Sequence, residues 1–453
     1  MRGLVLLLAM GGLLPMSAVA PMVGVITYYW ISFMSPQMEV WGIAAAPPWA
    51  LLSVLATLIG CLVAREPKRL AVNAMVVLII LFLILTTVSS LFALAPPDRV
   101  LDAWAQEAKT LVFLLILAAL LSERKRIHAL VWTMVISLGF YGVAGGLFAI
   151  ISGGHDRVWG PPQSIIGDNN QLAAALLIVL PLMNYLRLQS AHAIVRKGMA
   201  VAMLLTFLSV LASYSRGALV GLSAMGLFLW WNSRHRLITG PVMVLVLAVG
   251  LSFMPADWAD RMMTIEHYQH DVSAEDRLTV WREAFGIALA RPLTGGGYKS
   301  TSTAAVLHQF YPGAHQRAVH SIWMEVLSEN GFPAFGVWLG MMLLGFVNVG
   351  RIRRLARDDP ALAWADDFAR MTQVSLIAYV AAGSFLSMGY YDLYFGLLVA
   401  LGATRDLISR AAKTSPAGAQ LTATPSHTRL VPPARRPSLP ASTAAWRLRR
   451  ASR

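Results

Sequence analysis

The run VNAMVVLIILFLILTTVSSLFALA, residues 72–95, contains no Asp, Glu, Lys or Arg. A helix needs roughly 20 apolar residues to cross the hydrocarbon core of a bilayer, and a soluble domain has no place to bury so long an uncharged helix on every side. Similar runs fall near 48–64, 109–121, 128–152, 169–186, 198–213, 217–232, 237–254, 321–349, 367–388 and 391–408, with a first one inside 1–33. The expected fold is therefore an all-α polytopic membrane protein with about twelve transmembrane helices. Composition agrees: of 453 residues 57% are hydrophobic and 13% charged. Globular chains are roughly half apolar and a quarter charged.

A net charge of +14 could point to nucleic acid, but its distribution points to the membrane. The basic residues gather in every second loop: Arg65, Lys68 and Arg69; Arg124, Lys125 and Arg126; Arg187, Arg196 and Lys197; Arg234 and Arg236; Arg351, Arg353, Arg354 and Arg357. By the positive-inside rule these loops are cytoplasmic, both termini lie with them, and nucleic acid is no partner. The opposite, external face then carries 34–47, 96–108, 153–168, a tight turn at 213–216 and a long loop at 255–320. Met1-Arg2, the run to Leu14 and Ala18-Val19-Ala20 resemble a secretory signal, yet the apolar stretch resumes at once through Tyr28, Tyr29 and Trp30. An uncleaved anchor is expected, as one helix or as two split at Pro15. The lone Cys61 excludes a disulfide framework. From residue 409 to 453 the chain turns to Ala, Pro, Ser, Thr and Arg without apolar periodicity, and a disordered basic cytoplasmic tail is expected.

Chemistry is expected where polarity is costly or out of place. Five of the ten histidines, His267, His270, His308, His315 and His320, lie in the 255–320 loop. His267 and His270 have the spacing of a metal pair, but no Cys or carboxylate set completes it, so no metal site and no cofactor are expected. His320 opens an apolar helix, where an imidazole with an ordinary pKa near ~6.5 can accept a proton at neutral pH or merely cap the helix. Glu325 and Glu329 share one face of that helix, inside the membrane, and call for a buried cation or a polar cavity. Arg216, in Tyr214-Ser215-Arg216-Gly217, is a cation on the external side against the positive-inside tendency. Arg277 begins a helix that Pro292 stops, with Trp281 one turn later and Arg282 as a rival at nearly the same place. Guanidinium forks suit phosphate oxygens, so external arginines beside a histidine suit an anionic, lipid-linked substrate.

These features coincide with a known pattern. Trp30-Ile31-Ser32, Met34-Ser35-Pro36, Glu66-Pro67-Lys68-Arg69, Leu138 to Val143, Arg157-Val158-Trp159-Gly160-Pro161-Pro162 and Asp168-Asn169-Asn170 appear in order. Tyr214 to Ala218, Arg277 to Trp281, Arg291-Pro292-Leu293 and His320-Ser321-Ile322 follow. Over nearly all of residues 1–405 the chain resembles the O-antigen ligase and Wzy-type polymerase superfamily, in particular the exosortase A system-associated O-glycosylation ligases. It departs at Pro333-Ala334, where the family keeps a further glycine.

The resemblance implies an N-terminal transmembrane region (1–152) and an O-antigen ligase-like transmembrane region (153–408) containing the 255–320 loop. It implies a glycosyltransferase in the bacterial inner membrane whose active site faces the periplasm. The donor is an undecaprenyl diphosphate-linked glycan and the acceptor an unspecified hydroxyl on protein, lipid or glycan. Transfer is inverting and independent of metal and ATP. Arg216 and Arg277 would hold the diphosphate and His320 would be the base, with Arg282, Trp281, Ser215, Tyr214, Arg157, Asn169, Asn170 and Glu325 around the substrate. A polymerase of lipid-linked exopolysaccharide repeat units would use the same donor chemistry. A transporter or flippase would spread polar residues through many spans, often with an internal repeat.

Overall fold

The computed structural model describes residues 1–65, 71–233, 235–252, 254–256, 258, 262 and 272–414. The sequence features at Glu66 to Arg69, Arg234, His267, His270 and 415–453 lie outside the described residues. Helices dominate, and no strand occurs among the described residues. Each apolar run of the sequence is helical: α1 (Arg2–Val19), α2 (Pro21–Met34), α3 (Trp49–Val63), α4 (Ala74–Leu91), α5 (Pro97–Leu120), α6 (Arg124–Ile151), α7 (Asn169–Gln189), α8 (Ala193–Leu211), α9 (Arg216–Trp231) and α10 (Arg236–Ser252). Beyond the long loop, which holds α11 (Val272–Ala290) and α12 (Ala304–Phe310), come α13 (Ile322–Ala356), α14 (Ala363–Gly383) and α15 (Asp392–Thr414). Among the described residues seven helices are long and apolar enough to cross a membrane, and α2, α3, α9 and α10 are shorter apolar helices.

Two expectations are corrected. The first anchor is two helices, but Pro15 sits inside α1 and the break falls at Ala20, whose extended backbone precedes Pro21. Proline at the first helical position costs no hydrogen bond, which makes Pro21 a natural start. Residues 97–108 are not an external loop but the first half of α5, which Pro97 opens and Asp98 favours near its N-terminus. The charges of that segment had marked it as a loop; its Glu107 is instead buried, 7% exposed.

Close packing by small residues holds the spans together, as expected where lipid removes any hydrophobic force between helices. A Cβ on Gly142, Gly145 or Gly146 of α6 would come within 2.3 Å of Thr206, Ser209 or Leu205 of α8. The glycines of the 138–146 segment therefore serve a helix crossing. Gly24 and Gly60 act similarly among α1, α2 and α3, against Thr57 and Ser17. The spans surround α7, whose Leu172 to Val179 are all buried.

One break matters for the site. Helix α13 is interrupted at Gly331, with φ 74° and ψ 178°, just ahead of Pro333. The carbonyls freed there are taken up by the loop after α11: Gly296 N–H donates to Ser328 O (2.8 Å) and Gly297 N–H to Glu329 O (2.9 Å), while Phe332 N–H donates to Pro292 O (2.8 Å). Unsatisfied backbone groups are costly in a bilayer, and this exchange satisfies both segments. It ties α11 to the half of α13 that follows His320.

Candidate active site

The turn between α8 and α9 is shaped by its own side chains. Tyr214 takes a left-handed φ of 57°, and Ser215 Oγ caps α9 by accepting from Ala218 N–H at 3.2 Å. Arg216 is thereby the first residue of α9, where helix-end N–H groups and a guanidinium both favour an anion. The turn is fixed from outside. Asn169 Nδ2 donates to Ser213 O (2.6 Å), Tyr214 Oη donates to Gly154 O (2.7 Å), and the Arg157 guanidinium lies 5.5 Å from the Tyr214 ring centre. Asp168 caps α7, accepting from the backbone and side-chain amides of Asn170 at 2.8 and 2.9 Å.

Helix α11 and the segment before α13 enclose a cleft of about 310 Å³ lined by Asp276, Arg277, Val280, Arg317, Ala318 and His320. Asp276 forms an ion pair with Arg317 across it. Trp281 Nε1 donates to Val319 O (2.8 Å), and its ring lies 6.3 Å from that of Phe385. Two contacts, an ion pair and a hydrogen bond, thus fasten the segment leading to His320 onto α11.

His320 has a left-handed φ of 46° and its N–H donates to Ser387 Oγ at 3.0 Å. A non-glycine residue in that conformation costs energy and is held by its surroundings, a recurrent property of working sites. Its imidazole is exposed toward the cleft yet sits below the ordinary histidine pKa, first because the walls remove water and then because Arg277 is near; Asp168 acts the other way. The ring is therefore neutral, and able to accept a proton, at neutral pH.

The structure brings Arg277 and His320 to one cleft. Arg216 does not line it; a Cβ on its neighbour Gly217 would be 3.5 Å from Phe385, whose ring lies 6.3 Å from that of Trp281 on α11. Arg282 is exposed and does not line the cleft. Ser215, Tyr214, Asn169 and Trp281 hold backbone in place, and Arg157 and Asn170 are engaged as described. Glu325 Oε2 accepts from Gly389 N–H (2.8 Å), and Glu329 accepts from Lys299 N–H (2.9 Å) and from Tyr390 Oη (2.9 Å). These carboxylates receive loop N–H and hydroxyl groups, and the charge of Lys299 acts on both, in keeping with the cation called for by their depth. Arg317 and Ser387 did not stand out in the sequence. Only the position of Arg317, three residues before His320, could have marked it. His308 Nε2 lies 2.9 Å from Ala314 O and His315 is exposed. Among the described residues no group of three His, Cys, Asp or Glu is placed to hold a metal.

Residues 201–339 match the O-antigen ligase family, and residues 1–191 match a family of unknown function. The first interval contains the Arg216 turn, α11, the cleft and the Gly331 break; the second contains Arg157, Asn169 and Asn170. No curated protein matches the chain.

Proposed function

We propose that the chain, whose residues 201–339 match the O-antigen ligase family, acts as a member of the O-antigen ligase and Wzy-type superfamily and moves a glycan from undecaprenyl diphosphate to an acceptor hydroxyl at the periplasmic face of the inner membrane. The observation that carries this reading is the shared cleft of Arg277 and His320, a cationic group and a neutral imidazole side by side. His320 takes the proton of the acceptor hydroxyl as its oxygen attacks the anomeric carbon from the face opposite the diphosphate. The bond from that carbon to the diphosphate oxygen breaks, and its electron pair leaves with the diphosphate. Arg277 and Arg216 stabilise the charge so formed, an electrostatic contribution that needs neither metal nor nucleotide. The product glycoside has inverted configuration. Arg317 is a second cation in the cleft lining, paired there with Asp276. The basic loops at the opposite end of the bundle support the periplasmic orientation. The same donor half-reaction would serve a polymerase, from which the acceptor alone distinguishes a ligase.

The pH profile tests the base. Transfer requires neutral His320, so kcat/KM should rise through the free-enzyme pKa of His320 and level off above it. Because burial and Arg277 lower that pKa, the acid limb should lie below the ordinary histidine value of about 6.5. Arg277→Gln removes one lowering cause and should move the limb of the residual activity upward; Asp168→Asn removes the raising one and should move it downward. A limb that neither substitution moves would separate His320 from the rate.

A further inference from the structure

The end of the bundle away from His320 carries a second, larger groove, about 1000 Å³, between α9 and α10 on one side and α13 and α14 on the other. Its origin is visible in α10, whose only buried residue is Gly250, packed near Phe207 and Leu211 of α8. Toward Arg236 the helix leans on α9 alone, with Met243 against Gly226 and Trp230 against Gly240, and so stands off from α14. Part of the wall left open is apolar, with Phe228, Val242 and Val374, and part is polar, with Asn184, Asn232 and Gln373. The mouth is charged. Arg353 Nε lies 3.4 Å from Asp366 Oδ1, and Arg370 NH1 lies 3.9 Å from Asp366 Oδ2. Arg370 NH1 is also 3.9 Å from Asp367 Oδ1, but Asp367 does not line the groove and accepts from Gln189 Nε2 at 2.8 Å.

Within the lining, then, two guanidiniums share one carboxylate at distances longer than good hydrogen bonds. Each guanidinium has five N–H donors in a planar fork, and an oxygen-rich anion satisfies them where a single carboxylate does not. An apolar stretch of wall from α9 and α10 beside two arginines held only by long ion pairs matches a phospholipid: acyl chains along the helices, phosphate at the mouth. We propose that this groove binds one anionic diacyl phospholipid, with its phosphate on Arg353 and Arg370 and its chains along α9 and α10. The site is separate from the transfer site and does not depend on the reading of that site.

Native mass spectrometry of the full-length protein in detergent, titrated with phosphatidylglycerol or phosphatidylcholine, reads this directly. One saturable phosphatidylglycerol is expected, with phosphatidylcholine bound more weakly and soluble glycerol phosphate failing to compete. A basic side chain near an anionic lipid is worth ~1 kcal/mol, so Arg353→Gln with Arg370→Gln should weaken phosphatidylglycerol binding about thirty-fold. Asp366→Asn frees Arg353 and removes one of the two carboxylates beside Arg370, and should strengthen binding, a change of sign that a merely damaged protein would not give. Equal affinity for the two lipids would overturn the proposal in favour of an unselective acyl groove, and competition by glycerol phosphate would make it a soluble-anion site. Unchanged affinity in the double arginine variant, or weaker binding in Asp366→Asn, would also overturn it.

Discussion

Alanine in place of His320 should reduce glycan transfer by about 100- to 10,000-fold while leaving donor binding nearly unchanged. A base acts on the proton that moves in the transition state and contributes little to holding the donor, so kcat should fall and KM should not. The arginines should behave differently. Arg277→Ala and Arg216→Ala should weaken both binding and rate, because charge-assisted bonds to a diphosphate form in the ground state and strengthen as the leaving group develops. Lysine at either position should rescue only part of the loss, since a point charge does not reproduce the planar fork. Arg282→Ala should be close to wild type, because that side chain is exposed outside the cleft. More than about a tenth of the wild-type rate surviving in His320→Ala would make His320 a helix-end residue and move the base elsewhere.

Gly331→Ala should be strongly damaging for a single added methyl. At φ 74° a side chain is strained, and the added Cβ would meet Pro292 O at 2.7 Å, Leu293 C at 2.8 Å and Gly295 N at 2.9 Å. These neighbours are backbone and cannot rotate aside. Left-handed strain alone costs about 1 to 3 kcal/mol, and displacing the 292–297 segment would also strip Ser328 and Glu329 of their carbonyl partners. Thermal unfolding in detergent, followed by loss of monodisperse protein, should show a clearly lower midpoint. Gly336→Ala provides the control, since its Cβ would meet nothing within 4 Å. If both variants melt together with wild type, the interlock between α13 and the loop after α11 carries no stability.

The spans were legible because each needs a long apolar run, and every run became a helix. What failed did so where local pattern competes with packing. Pro15 looked like a breaker, but a helix near its end tolerates it, and Pro21, which offers a costless start, sets the boundary. Residues 97–108 looked like a loop because they carry charges; hydropathy does not see that Glu107 faces the interior of the bundle. Gly331 and Pro333 mark a break in the sequence, while the segment that fills it lies dozens of residues upstream and is known only from the fold. At the site, Arg277 was readable as an external arginine opening a loop helix and His320 as a histidine opening an apolar one. Their meeting in one cleft was not, nor was Arg317, whose place depends on a tertiary pairing with Asp276. The groove at Arg353 and Arg370 was hidden more deeply, since Arg353 had already served the topology argument as an ordinary positive-inside charge and Arg370 lies within an apolar run.

The central claim is that glycan leaves undecaprenyl diphosphate in a single displacement driven by arginines and a histidine. It is tested most directly by supplying purified protein with an undecaprenyl diphosphate-linked glycan, in chelator and without nucleotide, and with acceptor from membranes of a strain lacking the gene. The account predicts release of intact undecaprenyl diphosphate, matched by a new glycoside of inverted anomeric configuration. Retained configuration, release of undecaprenyl monophosphate, or transfer that appears only on adding a divalent metal or ATP would contradict it.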